Sequence, residues 1–115
     1  MQIIHFYKEN NRKSPIEIFL DSLYTKDALK VTWVLNLIEE HEIIPKIYLK
    51  KLVGTEDIWE IRVQSGSNAF RLLCFRYKGK FIILTNGFKK KSQKTPKKEI
   101  SLAEKRKYDW IRRNQ

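Results

Sequence analysis

The sequence contains few of the residues on which many enzyme sites depend. It has one cysteine and two histidines, too few for an internal disulfide or for the usual zinc sites. It has only four glycines, and no Gly-rich phosphate-binding loop precedes a helix. Cys74 lies in an apolar run, which predicts a buried structural thiol. These absences argue against nucleotide-dependent, zinc-dependent and redox enzymes, and we expect no metal and no cofactor.

Long apolar segments are also missing. The longest nearly apolar run, residues 81–84, is far shorter than the roughly 20 residues of a membrane-spanning helix. No signal-peptide core follows the charged start of the chain. We therefore expect a soluble, cytoplasmic protein that does not bind membranes. With 115 residues the chain has the length of one domain, so residues 1–115 are interpreted as a single domain.

Acidic residues are scarce in the C-terminal part. Residues 1–45 contain five Lys or Arg against seven Asp or Glu, whereas residues 46–115 contain nineteen against six. Six lysines and no acid fall between Lys89 and Lys98. Such an asymmetry is typical of a functional face, and a positive face attracts polyanions. The charge pattern favours nucleic acid as a partner over a membrane.

The N-terminal part has the pattern of a strand followed by two helices. Residues 2–7 are typical of a short strand. Ser14-Pro15-Ile16-Glu17 provides an N-cap, a proline at the first helical position and a capping-box glutamate. A second helix is predicted between Thr25 and Pro45, with Trp33 in its apolar stripe and therefore in the core. We expect the two helices to form a hairpin that covers one face of a sheet.

The apolar period changes to two after residue 48. Trp59, Ile61 and Val63 alternate with Glu60 and Arg62, which predicts a strand with one buried face and one open, charged face. Trp59 belongs to the predicted core.

Further strands are predicted at residues 69–77 and 81–85, joined by a two-residue turn at Lys78-Gly79. The chain is expected to leave the sheet at about Gly87 and to enter a mobile lysine cluster. A last, very basic helix starts near Thr95-Pro96, and its weak apolar stripe predicts loose docking. The fold class is therefore α+β: an N-terminal strand and helical hairpin packed on an antiparallel β-meander, with a C-terminal basic helix.

A few cations and one carboxylate remain as candidates for chemistry. Arg62 and Arg71 lie on strands that are expected to be neighbours, near enough to clamp one phosphodiester. RNA cleavage by its own 2′-OH needs no metal, only a base, a cationic stabiliser and an acid. Glu60 is a candidate base and Lys90 a candidate acid. In the simpler alternative, Glu60 and Arg62 pair with each other or with Arg71 on a solvated surface.

The lysine run and the nearby aromatic residues have simpler interpretations too. A lysine run is usually a solvated loop, and by itself Lys89 to Lys91 favours phosphate contact over catalysis. Tyr77 and Phe88 lie near predicted strand ends, where an aromatic ring can stack on a base.

Three sequence blocks together resemble the RelE/ParE toxin superfamily, and more specifically its phage-derived HigB-like branch. They are Trp59-Glu60-Ile61-Arg62, Phe70-Arg71-Leu72-Leu73 and the block from Gly87 to Pro96, Gly-Phe-Lys-Lys-Lys-Ser-Gln-Lys-Thr-Pro. The resemblance implies a small α+β toxin that cleaves messenger RNA in the ribosomal A site. It also implies a cognate antitoxin, which in this branch commonly carries a helix-turn-helix DNA-binding domain.

The resemblance also implies roles for individual residues. Arg62 and Arg71 match the strand arginines that contact the scissile phosphate, and Lys89 and Lys90 match the basic pair after the last strand. Lys50 and Lys51 would be accessory RNA contacts. The full set of RNA-binding candidates is Lys50, Lys51, Phe88, Lys89, Lys91 and Lys94.

Three positions depart from the pattern of the better-studied toxins. Those toxins have lysines where this chain has Ile58 and Glu60, and a tyrosine where it has Pro96. Histidine-dependent relatives exist as well, but the C-terminal half of this sequence contains no histidine. Two other functions stay open: a ParE-like toxin that binds gyrase, and a nucleic-acid-binding or ribosome-binding protein without catalysis.

Overall fold

The strands of residues 2–115, the part of the chain that the computed structural model describes, form one sheet. In chain order they are β1 (Ile3–Phe6), β2 (Leu49–Lys51), β3 (Ile58–Ser65), β4 (Asn68–Tyr77) and β5 (Phe81–Lys89). The helices are α1 (Pro15–Asp21), α2 (Thr25–Glu40) and α3 (Lys97–Arg113). Across the sheet the order is β1-β5-β4-β3-β2. The predicted α+β class is confirmed.

The centre of the sheet is the predicted antiparallel meander of β3, β4 and β5. The turn between β4 and β5 has positive φ at Lys78 (54°) and Gly79 (68°), as a tight hairpin turn of type I′ requires. The pairing of the two edge strands of the sheet was not predicted. Strand β2 has three residues and is antiparallel to β3, and β1 pairs in parallel with β5. A parallel neighbour is possible for β1 because both helices of the hairpin separate it from the meander along the chain.

The helical hairpin covers one face of the sheet, as predicted. Ser14 Oγ accepts a hydrogen bond from the backbone N–H of Glu17 (3.2 Å), and Pro15 is the first residue of α1. Fully buried residues from both helices pack against the sheet residues of this face. The core contains Ile16, Val31, Val34 and Ile38 from the helices, and Ile61, Val63, Leu72, Cys74, Ile82 and Leu84 from the sheet.

Two residues of α2 need separate description. Trp33 was predicted in the core, but 49% of its surface is exposed. It lies at the border of the buried face of α2, where its ring makes an edge contact with the ring of Tyr48. Asp27 is buried and accepts a 2.6 Å hydrogen bond from Ser65 Oγ. This bond fixes the β3–β4 turn, and thereby the end of the sheet that carries Arg62 and Arg71.

Helix α3 covers the opposite face and docks more closely than its weak apolar stripe predicts. Ala103 is fully buried, and the Trp110 ring packs edge-on against Phe75 and Tyr77, with ring centroids 5.7 and 4.8 Å apart. Arg106 adds a polar anchor, since its Nη1 donates a 2.8 Å hydrogen bond to the carbonyl of Thr85. The expectation of loose docking is therefore wrong, because large aromatic rings and charged anchors replace a continuous aliphatic stripe.

The length and polarity of the helices bear on whether they could span a membrane. None of the helices within residues 2–115 has both the length and the apolar character that crossing a bilayer requires.

Candidate functional site

The pairing of β3 with β4 places two arginines side by side. Arg62 is the cross-strand partner of Arg71, and Arg71 is also paired with Phe88 on β5. The predicted adjacency of the arginines is therefore present. Since side chains alternate along a strand, the row formed by these three residues lies on the α3 side of the sheet. Phe88 is thereby brought next to the arginines, whereas Tyr77 lies at the other end of β4 and packs on Trp110.

One carboxylate lies between the two guanidinium groups. Glu60 is two residues before Arg62 on β3, so both side chains are on the same face. Its Oε1 lies 3.2 Å from Arg62 Nε and 3.4 Å from Arg71 Nε. The other oxygen, Oε2, accepts a hydrogen bond from the hydroxyl of Thr95. The carboxylate therefore has cationic donors on one oxygen and a neutral donor on the other.

This cluster is buried, which contradicts the expected open face of β3. Glu60 is 3% exposed and Arg71 is 8% exposed, whereas 32% of the Arg62 side-chain surface is exposed to solvent. The face is closed because α3 and the segment before it cover the polar side of the sheet. The simpler interpretation is correct in pairing Glu60 with the arginines. It is wrong about the solvated surface, because Glu60 and Arg71 are buried.

Burial changes the electrostatics of Arg71. Loss of hydration lowers the pKa of its guanidinium, the Glu60 carboxylate raises it, and the positive charge of Arg62 lowers it further. The group stays charged at neutral pH because an arginine pKa starts above 12. Its Nη1 donates a 3.0 Å hydrogen bond to the carbonyl of Phe70. Within residues 2–115 its buried Nε has no well-aligned hydrogen-bond partner, although the Glu60 oxygen is within ion-pair distance.

The segment after β5 supplies the lysines. Strand β5 continues to Lys89, which is four residues beyond the predicted strand end at residue 85 and two beyond the expected exit from the sheet at Gly87. Both expectations are wrong. The pairing of β5 with β4 extends that far because Gly87 and Phe88 pair with residues of β4. The lysine loop, residues 90–96, then begins with a backbone hydrogen bond of 2.8 Å from Lys90 N–H to the carbonyl of Ala69. This bond places the base of the loop beside β4.

The lysine loop borders a pocket near the arginines. The pocket has a volume of about 390 Å³, and its lining includes Phe88, Lys90, Lys94 and Lys98. A larger pocket of about 570 Å³ lies between residues 7–11 and α3, but none of the predicted site residues lines it. The smaller pocket is the more relevant one, because its lining is mostly cationic and Phe88 joins it to the arginine row.

The two lysines of β2 have different surroundings. Lys50 is the cross-strand partner of Glu60, which places it at the edge of the cluster, and it is exposed. Lys51 is instead engaged with Asp57, with 2.8 Å between Lys51 Nζ and Asp57 Oδ1. That contact, a hydrogen bond with the lysine, lowers the pKa of the Asp57 carboxyl. The structure thus brings Lys50, but not Lys51, to the cluster.

Sequence reasoning missed the role of Thr95. The pair Thr95-Pro96 was interpreted as a helix start, and α3 does begin at Lys97. However, Pro96 occupies the N-cap position, no side chain within the described range caps the helix there, and the Thr95 hydroxyl binds Glu60. The start of α3 is held by Asn86, whose Nδ2 donates to Glu99 Oε1 at 3.0 Å. A threonine in a polar loop gives no sequence signal for such a long-range partner.

The cluster has no sign of a metal centre. Among residues 2–115, no three His, Cys, Asp or Glu side chains are close enough together to hold a metal ion. The polar side chains in contact within the cluster are two arginines, one carboxylate and one hydroxyl group.

Comparisons with known proteins place the chain in a family. A family model described as "Phage derived protein Gp49-like" matches residues 18–108. The matched range contains both arginines, Glu60, the lysine loop and most of α3. No curated protein matches the chain.

Proposed function

Since this chain belongs to the phage-derived Gp49-like family, which is associated with toxins of toxin–antitoxin systems, we propose that it is a type II toxin of the HigB-like branch of the RelE/ParE superfamily. Its activity is the cleavage of messenger RNA on the ribosome. The observation that carries this proposal is the cross-strand pair Arg62 and Arg71, which lies beside a pocket lined by lysines. Two guanidinium groups in one row match the oxygens of one phosphodiester.

The proposed reaction needs no metal and no cofactor. A base removes the proton of the 2′-OH, the 2′-oxygen attacks phosphorus, and the P–O5′ bond breaks as an acid protonates the leaving oxygen. The products are a 2′,3′-cyclic phosphate and a 5′-hydroxyl end. Arg62 and Arg71 stabilise the negative charge that develops at phosphorus. Lys90 protonates the leaving oxygen, and Glu60 is the candidate base.

The surroundings of Glu60 set a condition on its role as base. Oε1 faces two guanidinium groups, and Oε2 accepts the hydrogen bond of Thr95. Each carboxylate oxygen can accept two hydrogen bonds, so Oε2 keeps an acceptor position for the proton of the 2′-OH while the Thr95 hydroxyl stays bound. The attacking hydroxyl must therefore approach Oε2 and not Oε1.

Contacts to the RNA chain come from the surrounding surface. The exposed lysines 89, 91 and 94 supply phosphate contacts in the proposal, with Lys50 at the edge of the cluster. Phe88 supplies a ring for base stacking beside Arg71. Of the proposed RNA-binding lysines, Lys51 should contribute least to binding, because it already forms an ion pair with Asp57.

The proposal also includes partners and a location. The substrate is messenger RNA in the ribosomal A site, where the ribosome orients the message. A cognate antitoxin neutralises the toxin and carries, in our proposal, a helix-turn-helix DNA-binding domain. In this proposal the protein acts in the cytoplasm, where ribosomes and messenger RNA are found, and residues 1–115 form the toxin domain.

One observation favours a second candidate function, a nucleic-acid-binding or ribosome-binding protein that does not cleave. Both oxygens of Glu60 already accept contacts, which leaves the cluster better arranged to bind a phosphate than to remove a proton. A gyrase-binding toxin is distinguished by the same experiment, since it arrests growth without cutting messages.

The test is brief induction of wild type, Arg71→Ala and Arg76→Ala in a bacterial host, with new 5′ ends of messages mapped by primer extension. Arg76 is the matched control because it is an exposed arginine on the same strand. We expect codon-phased cuts with wild type and with Arg76→Ala, but not with Arg71→Ala. Thermal unfolding is the control, and all three proteins should be folded. Cuts that persist in Arg71→Ala would contradict the arginine clamp. If induction of wild type produces no new 5′ ends, the second candidate is favoured, or a gyrase-binding toxin if growth also stops.

A further inference from the structure

Glu60 contacts the two arginines through the same atom of each. Both Nε atoms face Glu60 Oε1, at 3.2 Å for Arg62 and 3.4 Å for Arg71. A guanidinium group has one donor edge formed by Nε and one Nη, and a second edge formed by the two Nη atoms. A carboxylate at Nε leaves the outer edge directed away from it. Glu60 thus orients the Arg62 fork through a hydrogen bond from Nε. It attracts the Arg71 fork as an ion pair, and that fork is also held by the hydrogen bond from Nη1 to the Phe70 carbonyl.

The carboxylate is itself held from the other side of the site. Thr95 donates its hydroxyl proton to Glu60 Oε2, at the point where the lysine loop meets α3. The helix start is anchored to the sheet, since Asn86 Nδ2 donates to the carbonyl of Glu99 at 3.2 Å and to Oε1 of the same residue at 3.0 Å. Thr95 therefore lies beside a fixed element, and its bond restricts rotation of the Glu60 side chain.

The two arginines need such a support. Like charges directly opposite each other on neighbouring strands repel, and here one of the charges is almost fully buried. Burial weakens screening by water, so the repulsion is stronger than on an open sheet. A carboxylate that lies between them in one orientation offsets the repulsion, whereas a rotating carboxylate would pair with one arginine and release the other.

We propose that Thr95 is a positioning residue that acts through Glu60 to hold Arg62 and Arg71 in register for one phosphodiester. The same bond couples the lysine loop to the arginines, so that loop and sheet bind a single RNA backbone together. The identification of the phosphodiester as RNA rests on the proposed function. The geometry of the Thr95–Glu60–arginine contacts does not.

The test compares three variants of the loop hydroxyls. Thr95→Val removes the hydroxyl at nearly constant shape, and Thr95→Ser keeps a hydroxyl. Ser92→Ala is the matched control, because Ser92 Oγ donates to the Lys94 carbonyl within the loop. The first measurement needs no ligand: NMR follows the exchange with water of the Arg62 Nε proton, which is the one hydrogen-bonded to Glu60. We expect about tenfold faster exchange in Thr95→Val, and wild-type exchange in the other two proteins.

The second measurement is the affinity for a short 2′-O-methyl RNA, which lacks the attacking hydroxyl and cannot be cleaved. We expect a loss of about 3- to 10-fold in Thr95→Val, with near-complete recovery in Thr95→Ser. Equal effects of Thr95→Val and Thr95→Ser, or unchanged arginine exchange in Thr95→Val, would overturn the positioning role. So would an equal effect of Ser92→Ala.

The outcomes separate this inference from the proposed function. Suppose that wild type cuts no message, and that the arginine Nε proton exchanges faster in Thr95→Val than in the other proteins. The nuclease proposal then fails and the positioning role stands. If wild type cuts messages and Thr95→Val cuts them with the same kcat and KM, the positioning role fails and the nuclease proposal stands.

Discussion

Arg62 on β3 lies directly opposite Arg71 on β4. Two cations in such a position destabilise a sheet unless a third group compensates them. Glu60 provides the compensation, because one of its oxygens lies within 3.4 Å of both Nε atoms. The arrangement concentrates positive charge at this end of the sheet while offsetting the repulsion between the two arginines. Its energetic balance leads to the first prediction.

Glu60→Gln should destabilise the protein by about 3 kcal/mol, because it leaves the buried charge of Arg71 without an anionic partner. Inorganic phosphate should then stabilise this variant more than wild type, since the anion can take the place of the carboxylate. Thermal unfolding in phosphate and in chloride at equal ionic strength measures both effects.

Glu56→Gln is the control for this prediction, because Glu56 is exposed and bonds to Lys107 through its backbone carbonyl only. Equal phosphate stabilisation of wild type and Glu60→Gln would show that the arginines do not form the anion site.

The lysine loop should contribute phosphate contacts that depend on salt. For single-stranded RNA, the slope of log K against log salt concentration is negative, and each lost contact reduces its magnitude by about 0.7. The double variant Lys90→Gln/Lys91→Gln should therefore reduce the magnitude of the slope by about 1.4, measured with an uncleavable RNA. Lys78→Gln/Lys80→Gln removes the same charge at the opposite end of the sheet, and its slope should stay close to that of wild type. Equal slopes for both variants would indicate a nonspecific charge effect.

Gly87 should be intolerant of any side chain. A Cβ at this position would lie 2.6 Å from Cδ2 of the Phe19 ring, closer than such atoms ever approach. Gly87→Ala should therefore cost about 1–3 kcal/mol in the free energy of unfolding, because α1 would have to move away from β5. Phe19→Leu should reduce that cost, which a double-mutant cycle in urea detects. Additive effects of the two changes would contradict the contact.

The bond between Tyr7 and Asp109 should make stability depend on pH at both extremes. Tyr7 OH donates to Asp109 Oδ2 at 2.8 Å. Burial and then this bond raise the pKa of Tyr7 above its ordinary value of 10.0, and the same bond, with help from Arg112 and Arg113, lowers the pKa of Asp109 below 3.8. Stability from Asp109 is present above pH 3.8 and falls as the pH drops through its lowered pKa. Stability from Tyr7 is present below pH 10.0 and falls as the pH rises through its raised pKa.

Tyr7→Phe should therefore flatten both the acid and the alkaline limb of the stability curve, measured by denaturant unfolding across the pH range. Tyr108→Phe is the control, because Tyr108 is 72% exposed on α3. A curve for Tyr7→Phe that keeps the shape of the wild-type curve would show that other groups set both limbs.

Much of the fold was predictable because it depends on local chemistry. The capping residues Ser14 and Glu17 mark the start of α1, and the turn at Lys78-Gly79 marks the hairpin between β4 and β5. Alternation around Arg62 correctly predicts a strand. Each of these signals depends on residues within a few positions of one another.

The errors concern contacts over long separations. Trp33 fits an apolar stripe, yet the helix rotates so that it lies at the rim. Strand β5 ends at Lys89, later than predicted, because pairing with β4 outweighs the polar character of the segment. The docking of α3 depends on Trp110, Arg106 and their partners on distant strands, which no periodicity reveals.

The sequence by itself determined the α+β element order, the positive C-terminal part and the arginine, glutamate and lysine residues of the candidate site, because composition and short periods are local properties. Only the tertiary structure decided that Glu60 is buried between Arg62 and Arg71, and that Thr95 holds it from the far side of the site. Residues 60 and 95 meet because α3 folds back over the meander, and the cost of closing that loop is offset by burial of the α3 face. Strand register and helix docking are collective properties of the packed chain, and they gave these residues their partners.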